Sequence, residues 1–158
     1  AGAAPCGREV EQVLRAIEQG QDVAPALLAV LSEVTAHKGA AAFAKACREI
    51  RKLADNLWDV PKLRALILQE VLEAELRLLH VNQAVEVKDV AKSFEELLSA
   101  VGPSDVFVWL RYLEFAQEVF GSAGAPSPSD LHLRALRSVK DQDLYREKAQ
   151  QILQGLDL

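Results

Sequence analysis

Residues 104–120 constrain the fold of this chain most strongly, because they are apolar around most of the circumference of a helix. One face carries residues at helical spacing: Val106, Trp109, Leu110, Leu113, Ala116 and Phe120. A second apolar stripe contains Val108, Tyr112, Phe115 and Val119. The polar strip that remains is Arg111, Glu114 and Glu118. Such a helix needs packing partners on two sides, so we predict a central helix of a bundle or an inner helix of stacked hairpins.

Helical periodicity extends through the rest of the chain from residue 8 onward, and no alternating segment of useful strand length occurs. Glycine and proline mark the expected helix ends and starts. These positions are Gly20, Pro25, Gly39, Pro61, Gly102, Pro103 and Gly121. We therefore expect an all-α fold of about seven to eight helices, either stacked antiparallel helical hairpins, as in an α-solenoid, or a compact helix bundle.

The helical segments are expected to belong to one cooperative domain, since 158 residues suffice for a single core. The predicted parts are a flexible lead-in (1–7), an N-terminal helical segment (8–58) and helical hairpins (59–158). Within the last part, residues 63–101 and 104–139 can be aligned as two hairpins. Their offset of about 40 residues lies in the range of known helical repeats.

Residues 121–129 are rich in glycine, serine and proline, and this composition predicts a mobile loop. Ser104 or Asp105 is expected to cap the helix before the loop, because a side-chain oxygen at that position accepts hydrogen bonds from free backbone N–H groups. Ser129 or Asp130 is expected to cap the helix after it.

Composition excludes some functional classes. The chain is 50 % hydrophobic and 26 % charged, with a formal net charge of −5. This acidity argues against direct binding of nucleic acid or of anionic membranes, since phosphate groups are bound by clustered lysine and arginine. No apolar run approaches the roughly 18 residues of a membrane span, and the first residues lack the pattern of a signal peptide. We expect a soluble chain that does not bind membranes.

The two cysteines do not decide the cellular compartment of the protein. Cys47 lies on an apolar helical stripe, which predicts a buried free thiol. The alternative is a disulfide between Cys6 and Cys47, which would make the chain a secreted helical bundle. Without that bridge, we expect a nuclear, nucleolar or cytoplasmic protein.

No motif for catalysis, cofactor binding or metal binding was found. His37, His80 and His132 are far apart in sequence and none has ligand spacing to another histidine or a cysteine. The chain contains no nucleophile motif and no phosphate-binding loop. We therefore predict a non-enzymatic protein without a cofactor or a metal, while an enzyme with an unrecognised site remains an alternative.

Several charged clusters are interpreted as solvated helix faces. Glu73 with Glu75 and the pair Glu95-Glu96 are carboxylate pairs on predicted helix surfaces, where nothing apolar would raise a pKa. The densest basic cluster contains Lys45, Arg48, Arg51 and Lys52. It lacks the interleaved aromatic residues of a nucleic-acid site.

Apolar residues at helix ends are the best candidates for partner binding. Trp58, Phe107 and Phe120 are placed where a partner helix or peptide can dock. Acidic residues are expected to form the rim of a groove between hairpins and to favour basic or amphipathic helical partners. These residues are Glu70, Glu73, Glu114 and Glu118.

Three aromatic residues, Trp109, Tyr112 and Phe115, recur at positions i, i+3 and i+6. This pattern resembles the first helix of the half-a-tetratricopeptide (HAT) repeat family, and the resemblance covers roughly the second half of the chain. The second helices match through Phe94, Glu95 and Leu98, and through Arg134, Ala135 and Leu136. The chain departs from the family at Ala116, where an acidic residue is usual, and at Ala91, where arginine is usual. Residues 63–80 also lack the tryptophan and tyrosine.

Within that family, the order of these pieces is most similar to the C-terminal part of the U3 small-nucleolar-RNA-associated scaffold proteins of the small-subunit processome. The resemblance implies a superhelical protein-binding scaffold in RNA processing and ribosome biogenesis, without catalysis. The residues alone agree with a protein-interaction module in a larger assembly, but they do not select RNA processing. Ordinary core packing also explains Trp109, Tyr112 and Phe115.

Overall fold

The structure is a computed structural model that describes residues 11–13, 15, 16, 19–57, 59–81 and 85–154. Seven helices are bounded within these residues: α1 (Val23–Lys38), α2 (Ala40–Ala54), α3 (Pro61–Val81), α4 (Val87–Val101), α5 (Val106–Glu118), α6 (Pro128–Ser138) and α7 (Gln142–Gln154). Residues 11–13, 15 and 16 are also helical. No strand occurs in the described ranges, and the predicted all-α fold of seven to eight helices is confirmed.

Local signals place the helix ends. The Asp105 carboxylate caps α5 as predicted, accepting hydrogen bonds from the backbone N–H groups of Phe107 and Val108 at 3.0 and 3.2 Å. The cap of α6 was predicted two or three residues too late, at Ser129 or Asp130. Ser127 is the cap and Pro128 begins the helix, because proline suits a first helical position whose N–H needs no partner.

The chain divides into two compact units, residues 1–93 and residues 94–158, which we call the N-terminal unit and the C-terminal unit. The division falls inside α4. In the N-terminal unit, α1, α2 and α3 pack against one another in all three pairs.

The core of the N-terminal unit contains apolar side chains at helical spacing on α2 and α3. On α2 the buried residues are Phe43, Ala44, Ala46, Cys47, Ile50 and Ala54. On α3 they are Ile67, Leu68, Val71, Leu72 and Ala74. Full burial of a leucine or isoleucine contributes about 1.5–3 kcal/mol, so these stripes supply the main favourable term for the unit.

The core of the C-terminal unit surrounds α5, which contacts both α6 and α7. Its buried residues are Val106, Trp109, Leu110, Tyr112, Leu113, Phe115 and Ala116. The Phe94 ring stacks on Tyr112 with centroids 4.6 Å apart, and lies 5.4 Å from the Phe115 ring. Both predicted stripes of this helix therefore contribute to the core, and the helix is central to its unit.

Among the residues that the structure describes, no helix has both the length and the apolar character needed to cross a bilayer.

Candidate functional site

Two of the aromatic residues predicted to bind a partner lie near opposite ends of α5. Phe107 is 67 % exposed near the start of α5, and Phe120 is 69 % exposed just after its end. Thirteen residues separate them, which is about 20 Å along a helix axis. They are therefore two separate exposed rings. Trp58 lies outside the described residues.

The four predicted rim carboxylates are divided between the two units. Glu70 and Glu73 are half-buried on α3 of the N-terminal unit. Glu114 and Glu118 are exposed on α5 of the C-terminal unit. The carboxylates thus belong to two different helices, and Glu70 and Glu73 lie on a helix that also lines an apolar groove.

That groove is an apolar cavity of the N-terminal unit with a volume of about 450 Å³. It is lined by Leu28, Leu31, Ser32 and Ala36 of α1, by Phe43 of α2, and by Ala74, Arg77 and Leu78 of α3. Leu28 is 43 % exposed, although its neighbour Leu27 is buried. We call this cavity the α1–α3 groove.

Sequence analysis missed the α1–α3 groove. The available signal was the apolar character of α1, where Leu27, Leu28, Val30 and Leu31 fill more than one stripe. A helix of a three-helix unit buries one broad face, so the additional leucine on such a helix indicates a second apolar surface.

One charged side chain of α3 lines the α1–α3 groove. It is Arg77, which is exposed. Glu70 precedes it by seven residues, which places the two on the same face of α3 about two turns apart, but Glu70 is not among the residues that line the cavity. Leu66, one turn before Glu70, is 48 % exposed and extends this stripe. This face of α3 therefore carries an acidic residue near the middle of the helix and a basic residue nearer its end.

A buried polar cluster lies elsewhere in the N-terminal unit. Arg51, Glu75 and Ser93 are 3 %, 1 % and 0 % exposed. The Arg51 Nη1 group donates to both carboxylate oxygens of Glu75, at 2.9 and 2.8 Å, and lies 2.8 Å from the Ser93 Oγ atom. Ser93 also donates to Glu75.

Two predictions about this cluster were wrong. Arg51 and Glu75 were expected on solvated helix faces, but they face each other in the core between α2 and α3, with Ser93 from α4. Burial raises the pKa of the Glu75 carboxyl, and the hydrogen bonds from Arg51 and Ser93 partly offset that effect. Because the polar atoms of these three side chains pair with one another, the cluster is suited to positioning helices.

Cys47 is buried next to this cluster and is a free thiol. Burial raises its pKa well above the ordinary value, and the Glu75 carboxylate adds to the effect. A buried thiol with a raised pKa is a poor nucleophile, because the thiolate is the reactive form. Cys6 lies outside the described residues, so the structure places only one member of the alternative disulfide.

The residues that carry the repeat resemblance lie close together in the C-terminal unit. Arg134 forms two hydrogen bonds with the Glu95 carboxylate, at 2.9 and 2.8 Å, and its guanidinium lies 5.1 Å from the centre of the Trp109 ring. The Tyr112 hydroxyl donates to Glu95 at 2.7 Å. Trp109 Nε1–H donates to the Pro103 carbonyl at 2.7 Å.

Glu95 was expected to be solvated, but it is half-buried in this cluster. The hydrogen bonds from Arg134 lower its pKa below the ordinary value. A neighbouring cleft of about 340 Å³ contains Glu95, Trp109 and Arg134 in its lining. Because Glu95 and Arg134 already pair with each other there, the cleft offers less unpaired charge than its composition suggests.

The histidine side chains that the structure describes lie on two different helices, α1 and α6. His132 Nδ1 is 3.1 Å from the Tyr145 hydroxyl, and the two rings stack with centroids 5.6 Å apart. His37 is exposed in the last turn of α1, and the His80 side chain lies outside the described part of the chain. Among the described side chains, no three His, Cys, Asp or Glu residues are grouped so that they can hold a metal ion.

No protein-family model, curated protein or solved structure matches this chain. We therefore infer the function from the geometry, burial and charge of the described residues.

Proposed function

We propose that this chain is a non-catalytic protein-interaction module that binds an amphipathic helical segment of another protein in the α1–α3 groove. The observation that carries the proposal is an apolar cavity of about 450 Å³ beside a leucine, Leu28, that is 43 % exposed. Apolar surface left in contact with water is a favourable place for a partner, because its burial stabilises the complex.

The dimensions of the groove suit a helical partner. Its lining on α1 runs from Leu28 to Ala36, a separation of eight residues and about 12 Å of helix. A bound amphipathic helix presents anchor side chains at positions i, i+3 or i+4, and i+7, which span about 10.5 Å. Two to three apolar anchors therefore match the length of the groove.

Within this proposal, the larger assembly is an RNA-processing complex in the nucleus or nucleolus. Support comes from the resemblance of the C-terminal unit to half-a-tetratricopeptide repeats, whose matching residues Phe94, Glu95, Trp109, Tyr112 and Arg134 lie close together. In this arrangement the partner protein, rather than this acidic chain, contacts RNA.

Selection from a displayed library of helical peptides tests the interaction. Wild-type protein is expected to enrich peptides with apolar residues at i, i+3 or i+4, and i+7. Leu28→Asp should abolish their binding, because it places a charge against the apolar lining. The matched control is Leu133→Asp, which alters a leucine of similar exposure, 51 %, on α6.

The outcome is decided by the difference between these two variants. Peptides retained by wild type and by Leu133→Asp, but lost from Leu28→Asp, support the groove. If both variants lose peptide binding equally, or both retain it equally, the proposed groove is contradicted. Circular dichroism spectra of all three proteins exclude unfolding as the cause of a loss.

A further inference from the structure

Resting on the proposed function, we infer that the occupant of the α1–α3 groove carries opposite charges about two helical turns apart, a basic residue facing Glu70 and an acidic residue facing Arg77. Sequence analysis predicted a preference for basic partners, based on carboxylates alone. The position of Arg77 in the lining changes that expectation.

Positions on α3 give the spacing. Glu70 and Arg77 differ by seven residues, so they share a face of the helix and lie about 10.5 Å apart along its axis. Ala74 lies between them and also lines the groove. Arg77 therefore borders the groove, whereas Glu70 lies on the same face of α3 one turn before Ala74. A helix lying alongside α3 reaches both with residues seven positions apart.

Burial determines how strongly each charge acts. Glu70 is half-buried, so a partner cation beside it is screened less by water than at a fully exposed site. Arg77 is exposed and lies about one turn before the end of α3 at Val81. The carbonyl end of the helix reduces the positive potential there, but its partial charge is smaller than the full charge of the guanidinium.

The α1 side of the groove runs in the same direction as the α3 side. Short connections join α1 to α2 and α2 to α3, so consecutive helices run antiparallel and α1 runs in the same direction as α3. The Ala36 end of α1 therefore lies toward Arg77. Among the residues that line the groove, the charged one is Arg77.

The test uses helix-locked peptides of about 14 residues with identical leucine anchors. They differ only at two positions seven residues apart, which carry Lys and Glu in either order, Lys and Lys, Glu and Glu, or Gln and Gln. At low ionic strength, one of the two Lys/Glu orders should bind about fivefold more tightly than either like-charged peptide. The difference should decrease in about 0.5 M salt.

The variant Arg77→Glu provides the matched control. It makes both charges acidic, so the Lys/Lys peptide should become the tightest ligand. Leu28→Asp should abolish binding of every peptide, as the proposed function requires.

The possible results separate the two proposals. If Lys/Lys binds wild type most tightly, or if all charge patterns bind equally, the groove is a docking site but the charge inference is wrong. If no peptide binds wild type in a manner that Leu28→Asp abolishes, both proposals are wrong.

Discussion

The guanidinium of Arg51 and the carboxylate of Glu75 form an ion pair in the core of the N-terminal unit, with Arg51 Nη1 2.8 Å from Glu75 Oε2. Their side chains are 4 % and 1 % exposed. The pair joins α2 to α3, and Ser93 adds a contact from α4. Removing either partner leaves a buried charge, whereas removing both leaves none.

We therefore expect Glu75→Leu to lower the free energy of unfolding by about 3–5 kcal/mol. The double variant Arg51→Met, Glu75→Leu should be more stable than this single variant, because it buries no unpaired charge. Urea unfolding followed by circular dichroism measures both. As a control, Glu86→Gln disrupts the exposed pair with Lys88 and should cost less than about 1 kcal/mol. A double variant less stable than the single one would contradict the argument.

Acid should weaken the C-terminal unit through Glu95. Hydrogen bonds from Arg134 lower the pKa of Glu95 below its ordinary value of about 4.5. A carboxyl with a lowered pKa in the folded state contributes stability above its ordinary pKa, and this contribution is lost as pH falls through the folded pKa. Because Glu95 is half-exposed, we expect Glu95→Gln to lower the free energy of unfolding by only about 0.5–1 kcal/mol at pH 7.

The measurement compares urea unfolding of wild type and Glu95→Gln at neutral pH and well below the ordinary pKa. The difference between the two proteins should be present at neutral pH and should disappear in acid. A difference of the same size at both pH values would show that the carboxylate charge is unimportant. Glu114→Gln, an exposed change on α5, controls for a general effect of removing a negative charge.

Cys47 should be protected from thiol reagents in the native protein. Its side chain is fully buried and its pKa is raised, so both access and the thiolate fraction are low. We expect maleimide labelling at Cys47 to be at least about a hundredfold slower in native protein than in guanidinium chloride. Mass spectrometry of the labelled peptides separates Cys47 from Cys6.

The same experiment on unreduced protein tests the secreted alternative. Two reactive thiols after denaturation would mean that Cys6 and Cys47 are not bridged. If neither thiol reacts until a reductant is added, the disulfide exists, and the assignment of Cys47 as a free thiol would be wrong.

Loss of the α5 cap should destabilise the C-terminal unit. Asp105 accepts hydrogen bonds from two backbone N–H groups, so Asp105→Ala is expected to lower the free energy of unfolding by about 1 kcal/mol. Asp105→Asn retains a side-chain acceptor and should cost much less. Thermal unfolding of both variants measures the effect. If both variants lose the same amount of thermal stability, the charge at this position matters more than the hydrogen bonds.

Much of the fold was predictable because the relevant information is local. The two apolar stripes of α5 predicted a helix packed on two sides, and Asp105 was among the residues predicted to cap it. Gly39 marked the end of α1, and it adopts a φ of 86°, which residues other than glycine rarely adopt. Each of these signals depends on residues within a few positions of one another.

Pairing between distant residues was not predictable in the same way. Arg51 and Glu75 are 24 residues apart, and each belongs to a locally polar sequence. A charge is placed in a core only when packing of two helices brings its partner to it, and helix periodicity carries no information about that partner. The same limit applied to Glu95 and Arg134, which are 39 residues apart.

By itself, the sequence determined that this chain is helical and acidic, because helix formation and net charge follow from residue type and short-range spacing. Only the tertiary structure decided that Leu27 is buried while Leu28 borders a groove, and that Arg77 adds a positive charge to an edge expected to be acidic. Adjacent leucines are equivalent to a local pattern. They become different when packing of α1 against α2 and α3 covers one face of the helix and leaves another in water.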